Sequence, residues 1–352
     1  MDSTNNQTKP LVTKETKNKI VVDYEGKLTF KERMLQKLKT SNTWIKAGIS
    51  VFRFILMLGV SFVIIYPFIA RIAGSFMTKE DVVDSTISLI PKHPTLEIYK
   101  AIIVENHYFE ALLNTLLLSL CCAVVQMLIS CLVGYGLAKF KFKGNKLVMG
   151  LVILTMVIPH GAIRLAMSRH FTNFDLGVVL AWNYDGIIEL VTGAPLQLSN
   201  TFAPLIILSF CGLAFKNGLY IYLMRQFFKG VPDELEESAY VDGSGVIRTF
   251  FQIILPLAVP MMITVFLFSF SWQWTDGFYT TLFFKNNIDK VYLMPDVYNV
   301  PQSLKTTYAG AQLYESVVRN TGGMMIIAPL IILYLFCQKY LVQGIERSGL
   351  VG

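Results

Sequence analysis

Six apolar runs, each near the ~20 residues a helix needs to cross a bilayer, constrain this chain more than any other feature. They cover residues 47–70, 111–136, 147–167, 202–224, 256–274 and 323–342. Of 352 residues, 53% are hydrophobic and only 16% charged, against about a quarter charged in a soluble domain. The expected fold is therefore an all-α membrane protein with six transmembrane helices. The first run is not a signal peptide, because a polar arm precedes Trp44 and no small-residue cleavage pattern follows. Five cysteines and four histidines are too few and too scattered for a disulfide or zinc framework. The net charge of +7 sits beside the apolar runs, not on a basic face interleaved with aromatics, so it points to membrane topology and away from nucleic acid.

Lysine and arginine bias flanking loops towards the cytoplasm. The N-terminal arm, the turn carrying Lys139, Lys141, Lys143 and Lys146, and the segment carrying Arg225, Lys229 and Arg248 belong inside. Nothing from His170 to Phe215 is Lys or Arg, so the connection 170–201 reads as external. An even number of spans then leaves both termini in the cytoplasm.

Residues 1–27 are polar and poor in apolar material, so a disordered cytoplasmic arm is expected. Over 28–43, Phe30, Met34 and Leu38 recur four apart beside Lys31, Lys37 and Lys39, a pattern that suits an amphipathic interfacial helix and also a plain continuation of the basic tail. Residues 44–352 form the six-span domain. In its external connection the apolar run Leu176–Trp182 is too short to span and is followed by Asn183, Tyr184, Gly186 and Pro195, so a folded cap is expected. A second external connection, polar and aromatic, runs from Phe278 to Thr321.

The loop 225–255 between spans four and five carries a short cytoplasmic helix. Pro232 suits its first position, Asp233, Glu234, Glu236 and Glu237 favour the positive end of its dipole, and Gly243 can take the positive φ of a helix stop. Leu235 and Ala239 are four apart with Ser238 beside them, so a partner surface could approach the backbone closely. An acidic first turn disfavours the alternative of a helix lying on an anionic leaflet. A second helical stretch enters the membrane at Pro256.

These residues resemble the cytoplasmic signature of ABC-importer permeases, Glu-Ala-Ala, Asp-Gly and Leu-Pro. Here it reads Glu237-Ser238-Ala239, Asp242-Gly243 and Leu255-Pro256, with Ser238 in place of the first Ala. The resemblance extends to the shorter, six-span subunit of maltose-type sugar permeases. It is carried by Tyr66-Pro67, Ser75-Phe76, Pro94-Thr95-Leu96-Glu97-Ile98-Tyr99, Asn114-Thr115, Gln338-Lys339-Tyr340, Gly344 and Ser348-Gly349-Leu350. The long arm, the enlarged connection before Asn200-Thr201, and Trp274-Thr275-Asp276 depart from that pattern.

The resemblance implies an ABC type I importer permease fold in a bacterial cell membrane. Glu237, Ser238, Ala239, Asp242 and Gly243 would then couple the chain to an ATPase. It further implies a second, related permease, two ATPase subunits and an extracellular solute-binding protein as partners, alongside membrane lipid. The function implied is binding-protein-dependent import of a sugar, an oligosaccharide by preference, through alternating access. No Gly-x-x-x-x-Gly-Lys-Ser/Thr phosphate loop occurs, so ATP and magnesium would be held by the partner ATPase, and this chain is expected to carry no cofactor and no catalytic residue. A non-sugar ABC permease keeps the same signature and stays open. An ion-coupled secondary transporter is disfavoured, because the spans hold no Asp or Glu away from their ends.

Polar groups at membrane depth are site candidates by default. Lys216 and Asn217 fall in the inner half of the expected fourth span, where Lys216 could meet cargo, snorkel or pair with another helix. In span three, His160 and Arg164 are four apart just past Pro159 and would share a face; each also suits a structural role. Trp272, Trp274 and Asp276 close span five, as sugar-stacking groups or as interfacial anchors. Asn114 opens span two as a helix bridge or a substrate contact. Lys216, His160 and Arg164 together motivate an acidic cargo.

Overall fold

The computed structural model describes residues 12–15, 21–24, 41–175, 186–284, 290–307 and 310–347. The chain divides into two units, Met1–Ala70 and Arg71–Gly352.

In the first unit, β1 (Val12–Glu15) pairs antiparallel with β2 (Val21–Tyr24), Val12 opposite Tyr24. Of the arm expected to be disordered, only these eight residues are described; Val12, Thr13, Val21, Val22 and Tyr24 are β-branched or aromatic, which suits strands, and Thr13, Lys14 and Glu15 lie opposite Asp23, Val22 and Val21. The residues expected to form the interfacial helix lie mostly outside the described residues, of which only 41–43 are seen, at the start of a helix. That helix is α1 (Ser41–Gly74), apolar from Gly48 onward, with Phe52, Met57 and Val63 exposed.

The second unit is helical. After short α2 (Lys79–Val83) and α3 (Glu97–Glu105), α4 (Tyr108–Lys139) runs through its centre. α4 contributes to each of three larger apolar clusters, through Tyr135 and Cys131, through Ala111 and Ala123, and through Leu118 and Cys122. It ends where Asn145 donates its side-chain amide to the carbonyls of Leu137 (3.2 Å) and Phe140 (3.0 Å), supplying two of the partners a helix C-terminus lacks.

Among the described residues, four helices are long and apolar enough to cross a membrane: Gly48–Gly74 within α1, α4, Val246–Trp274 and Ala311–Tyr340. The expected third span is bent by 89° between α5 (Asn145–Val157) and the turn His160–Ile163 that leads into α6 (Arg164–Thr172). The cause is Pro159, which forces Ile158 into an extended conformation (φ −65°, ψ 118°).

The expected fourth span is also two helices, α8 (Ala203–Phe210) and α9 (Asn217–Lys229). Gly212 at φ +72° stops α8, with Leu213 N–H donating to Leu208 O (2.9 Å) and Gly212 N–H to Ser209 O (3.3 Å). Lys216, expected inside a continuous helix, instead sits at the break with φ +65°.

Between these two pairs, the base of the connection 170–201 is closed. Phe174 and Leu196 exchange backbone hydrogen bonds, and buried Asp175 accepts from Ile188 N–H (2.8 Å) and Glu189 N–H (3.1 Å) at the start of α7 (Ile187–Thr192). The whole run Leu176–Trp182, together with Asn183 and Tyr184, lies outside the described residues.

α10 (Glu234–Val241) leads into α11 (Val246–Trp274), continuous through Pro256 because a π-helical turn at Phe250–Ile254 widens the helix where the proline ring would meet the preceding turn. α12 (Phe278–Phe283) and two 3-10 turns precede α13 (Ala311–Arg347), which starts twelve residues before the apolar run at 323.

Candidate functional site

The two helix breaks meet at one cavity of about 370 Å³, lined by Met156, His160, Ile163, Leu213, Lys216 and Asn217 among others. This falls in the ~300–1,000 Å³ range of small-molecule sites. Gly218 makes the approach possible: a Cβ there would lie 2.6 Å from Thr155 Oγ1 and 2.9 Å from Val152 O, so the start of α9 lies directly on α5. Small residues allow such close helix contact in membrane proteins.

At the break Lys216 Nζ stands 5.0 Å from the Phe215 ring centre and 5.2 Å from that of Trp272. Both distances are within cation–π range. Asn217 is fully buried, yet neither its Oδ1 nor its Nδ2 has a hydrogen-bond partner among the described residues. His160 Nδ1 is 2.8 Å from Tyr279 Oη, and its ring also packs on Phe215. The structure therefore brings together His160, Lys216, Asn217 and Trp272, and adds Phe215 and Tyr279.

The other candidates go elsewhere. Arg164 starts α6 after the bend, exposed and no longer on one helix face with His160, since the two lie on different helical segments. Trp274 is buried, and its indole N–H donates to Ile326 O (2.9 Å), so it is a packing residue. Asp276 accepts from the backbone N–H of Phe278 and Tyr279 at the start of α12. Asn114 donates to Tyr292 O (3.1 Å) and ties α4 to the segment before the 3-10 turn Met294–Tyr298. Sequence reasoning missed Gln126, which is buried on α4, donates to Ser209 Oγ (3.1 Å) and accepts from Ser269 Oγ (2.8 Å), joining α4, α8 and α11. Its amide in an apolar run was the available signal.

The second region is α10. It starts at Glu234, with Asp233 flanking it, two residues after the expected Pro232. It ends at Gly243, whose φ of +81° lets its own N–H reach Tyr240 O (3.0 Å) and Ser244 N–H reach Ala239 O (2.9 Å). α4 grips the acidic end. Tyr135 Oη donates to Glu236 Oε1 (2.8 Å), and Lys139 Nζ reaches Val231 O (2.7 Å), Asp233 Oδ1 (2.5 Å) and Glu236 Oε2 (3.7 Å). The Lys139 ammonium holds the Asp233 carboxyl below the usual carboxylate range.

Ala239 faces inward with Glu236 and is buried, which corrects the expectation that it shares an open face with Leu235. The outer face presents Leu235, Glu237, Ser238, Val241 and Asp242, with Ile247 beyond.

Residues 126–347, from the buried Gln126 through both breaks, α10 and α13, match the family described as binding-protein-dependent transport system inner membrane component. The chain belongs to this family. Its relatives include the galactooligosaccharides transport system permease protein GanQ of Bacillus subtilis, 27% identical over 86% of this chain and 95% of that one. The polygalacturonan/rhamnogalacturonan transport system permease protein YtcP of the same organism is 26% identical over 86% and 97%. The maltodextrin transport system permease protein MalD of Streptococcus pneumoniae is 26% identical over 84% and 93%. Among solved structures, a chain of a bacterial ABC transporter involved in the import of the acidic polysaccharide alginate matches with a TM-score of 0.61 at 20% identity, covering 86% of this chain and 98% of that chain. That likeness bears on the fold.

Proposed function

We propose that this chain is a membrane-spanning permease subunit of an ATP-driven, binding-protein-dependent oligosaccharide importer. The family match over residues 126–347 carries the reading, and the oligosaccharide cargo rests on relatives named for galactooligosaccharides, polygalacturonan and maltodextrin. In this reading α5–α6 and α8–α9 complete six crossings as broken spans, and both termini lie in the cytoplasm with the lysine-rich turn 139–146. α10 is the coupling helix: its paired inner face anchors it to α4, and its open face, with Glu237, Ser238 and Asp242, meets an ATPase. ATP and magnesium belong to that partner. Alternating access would move the α4–α10 unit and so open or close the cavity at the breaks.

The test is uptake into liposomes holding the chain with its companion permease and ATPases, and supplied with the binding protein. Oligosaccharide accumulation that requires internal ATP supports the reading. Accumulation without nucleotide, driven by an ion gradient, contradicts it.

A further inference from the structure

We propose that the cavity between the two helix breaks is a site for an anionic sugar unit, with the uronate carboxylate on Lys216. The proposal rests on the oligosaccharide-permease reading and names the class of cargo. Three observations meet there. First, Lys216 has no carboxylate partner within ion-pair distance among the described residues, although it lies in one of the most apolar stretches of the chain. Its side chain is exposed beside the cavity, against the rings of Phe215 and Trp272, so an incoming anion can reach it as a counter-charge. The acid that shares Phe215 and Trp272 with it, Asp276, is already engaged by the N–H groups of Phe278 and Tyr279.

Second, Asn217 is fully buried at the cavity wall with both polar atoms unpartnered. A buried amide left so is unfavourable unless a ligand supplies the missing bonds. Its Nδ2 can donate to a carboxylate or hydroxyl oxygen, and its Oδ1 can accept from a hydroxyl. Third, among the described residues no Asp or Glu lines the cavity, whereas Lys216 and His160 do. Apart from Asn217 and Thr155, whose hydroxyl donates to Val152 O (2.7 Å), the rest of the wall is apolar, and half-exposed Trp272, outside that wall but beside Lys216, offers a face to the CH-rich side of a sugar ring. A carboxylate, hydroxyls and an apolar ring face on one small ligand describe a hexuronate unit.

A lipid phosphate would offer Lys216 the same negative charge, so the experiment separates the two sources. The complete transporter is placed in phosphatidylcholine liposomes and offered tetragalacturonate or the same tetramer with its carboxylates reduced to alcohols. Wild type should accumulate the uronide. Lys216→Met should lower that uptake at least about tenfold, the scale of one lost charge-assisted hydrogen bond, while Lys216→Arg retains most of it and Asn217→Leu lowers it by a smaller factor. Co-purification of the partner subunits with each variant checks folding.

Preference for the neutral tetramer, unchanged uronide uptake in Lys216→Met, or uptake of neither probe overturns the acidic site. So does a Lys216-dependent change in ATP hydrolysis produced by phosphatidylglycerol without sugar, which assigns the cation to lipid. The permease reading survives each of these outcomes. It falls only if no sugar from a mixed oligosaccharide pool is taken up with ATP.

Discussion

The α10 region and the cavity at the helix breaks are both built from polar side chains against apolar helices, and they treat those side chains in opposite ways. Around α10 the buried polar groups are paired within the chain: Tyr135 with Glu236, and Lys139 with Asp233, Glu236 and the Val231 carbonyl. At the breaks, among the described residues, Asn217 has no hydrogen-bond partner and Lys216 only aromatic ones. A finished network fixes the position of one element against another, whereas an unfinished one is held open for something else. The first arrangement suits a part that must transmit movement, and the second suits a part that must receive a ligand.

The comparison is broken most severely at Lys139. Lys139→Met leaves the mostly buried Glu236 carboxylate without its cation, and the transporter should lose about 3 kcal/mol of stability, read as a lowered melting temperature in detergent. Tyr135→Phe removes one bond to the same carboxylate and should lower stability by about 1–2 kcal/mol. Gly243→Ala, which forces a side chain into a left-handed conformation with open space around it, should cost about 1 kcal/mol.

Asn217→Leu sharpens the contrast, because it replaces an unpartnered buried amide with an apolar group of similar size. Its melting temperature should be unchanged or raised even as transport falls. A clear loss of stability would mean that Asn217 is already satisfied.

The smallest effect is with pH. Lys139 depresses the Asp233 pKa, so the stabilisation is present above the ordinary carboxylate range and disappears as pH falls through the depressed value. The acid limb of the melting curve should therefore flatten in Asp233→Asn.

The four long apolar helices among the described residues were legible in the sequence because hydropathy alone defines a long apolar helix. The runs expected as spans three and four were legible as apolar but not as broken, since a hydropathy window averages over Pro159 and Gly212 while the backbone obeys each of them locally. The same breaks explain the mixed fate of the site residues. His160, Lys216, Asn217 and Trp272 were recognisable as polar or aromatic groups at depth, and they converge because both helices break beside them. Arg164 was misplaced because its pairing with His160 assumed an unbroken helix, and Ala239 because i, i+4 spacing says which residues share a face but not which face is covered. The Gln126 and Tyr135 contacts span 83 to 143 residues of sequence, beyond any local pattern.

The central claim is that α10, anchored by α4, joins this permease to an ATPase. The most direct test is a mild-detergent pull-down of the tagged chain with partners identified by mass spectrometry, comparing wild type with Glu237→Lys and Gly243→Pro. The account predicts an ATPase and a second permease with wild type, and loss of the ATPase but not of the second permease in both variants. Recovery of no ATPase even after crosslinking, together with solute movement by the purified chain alone, would contradict it.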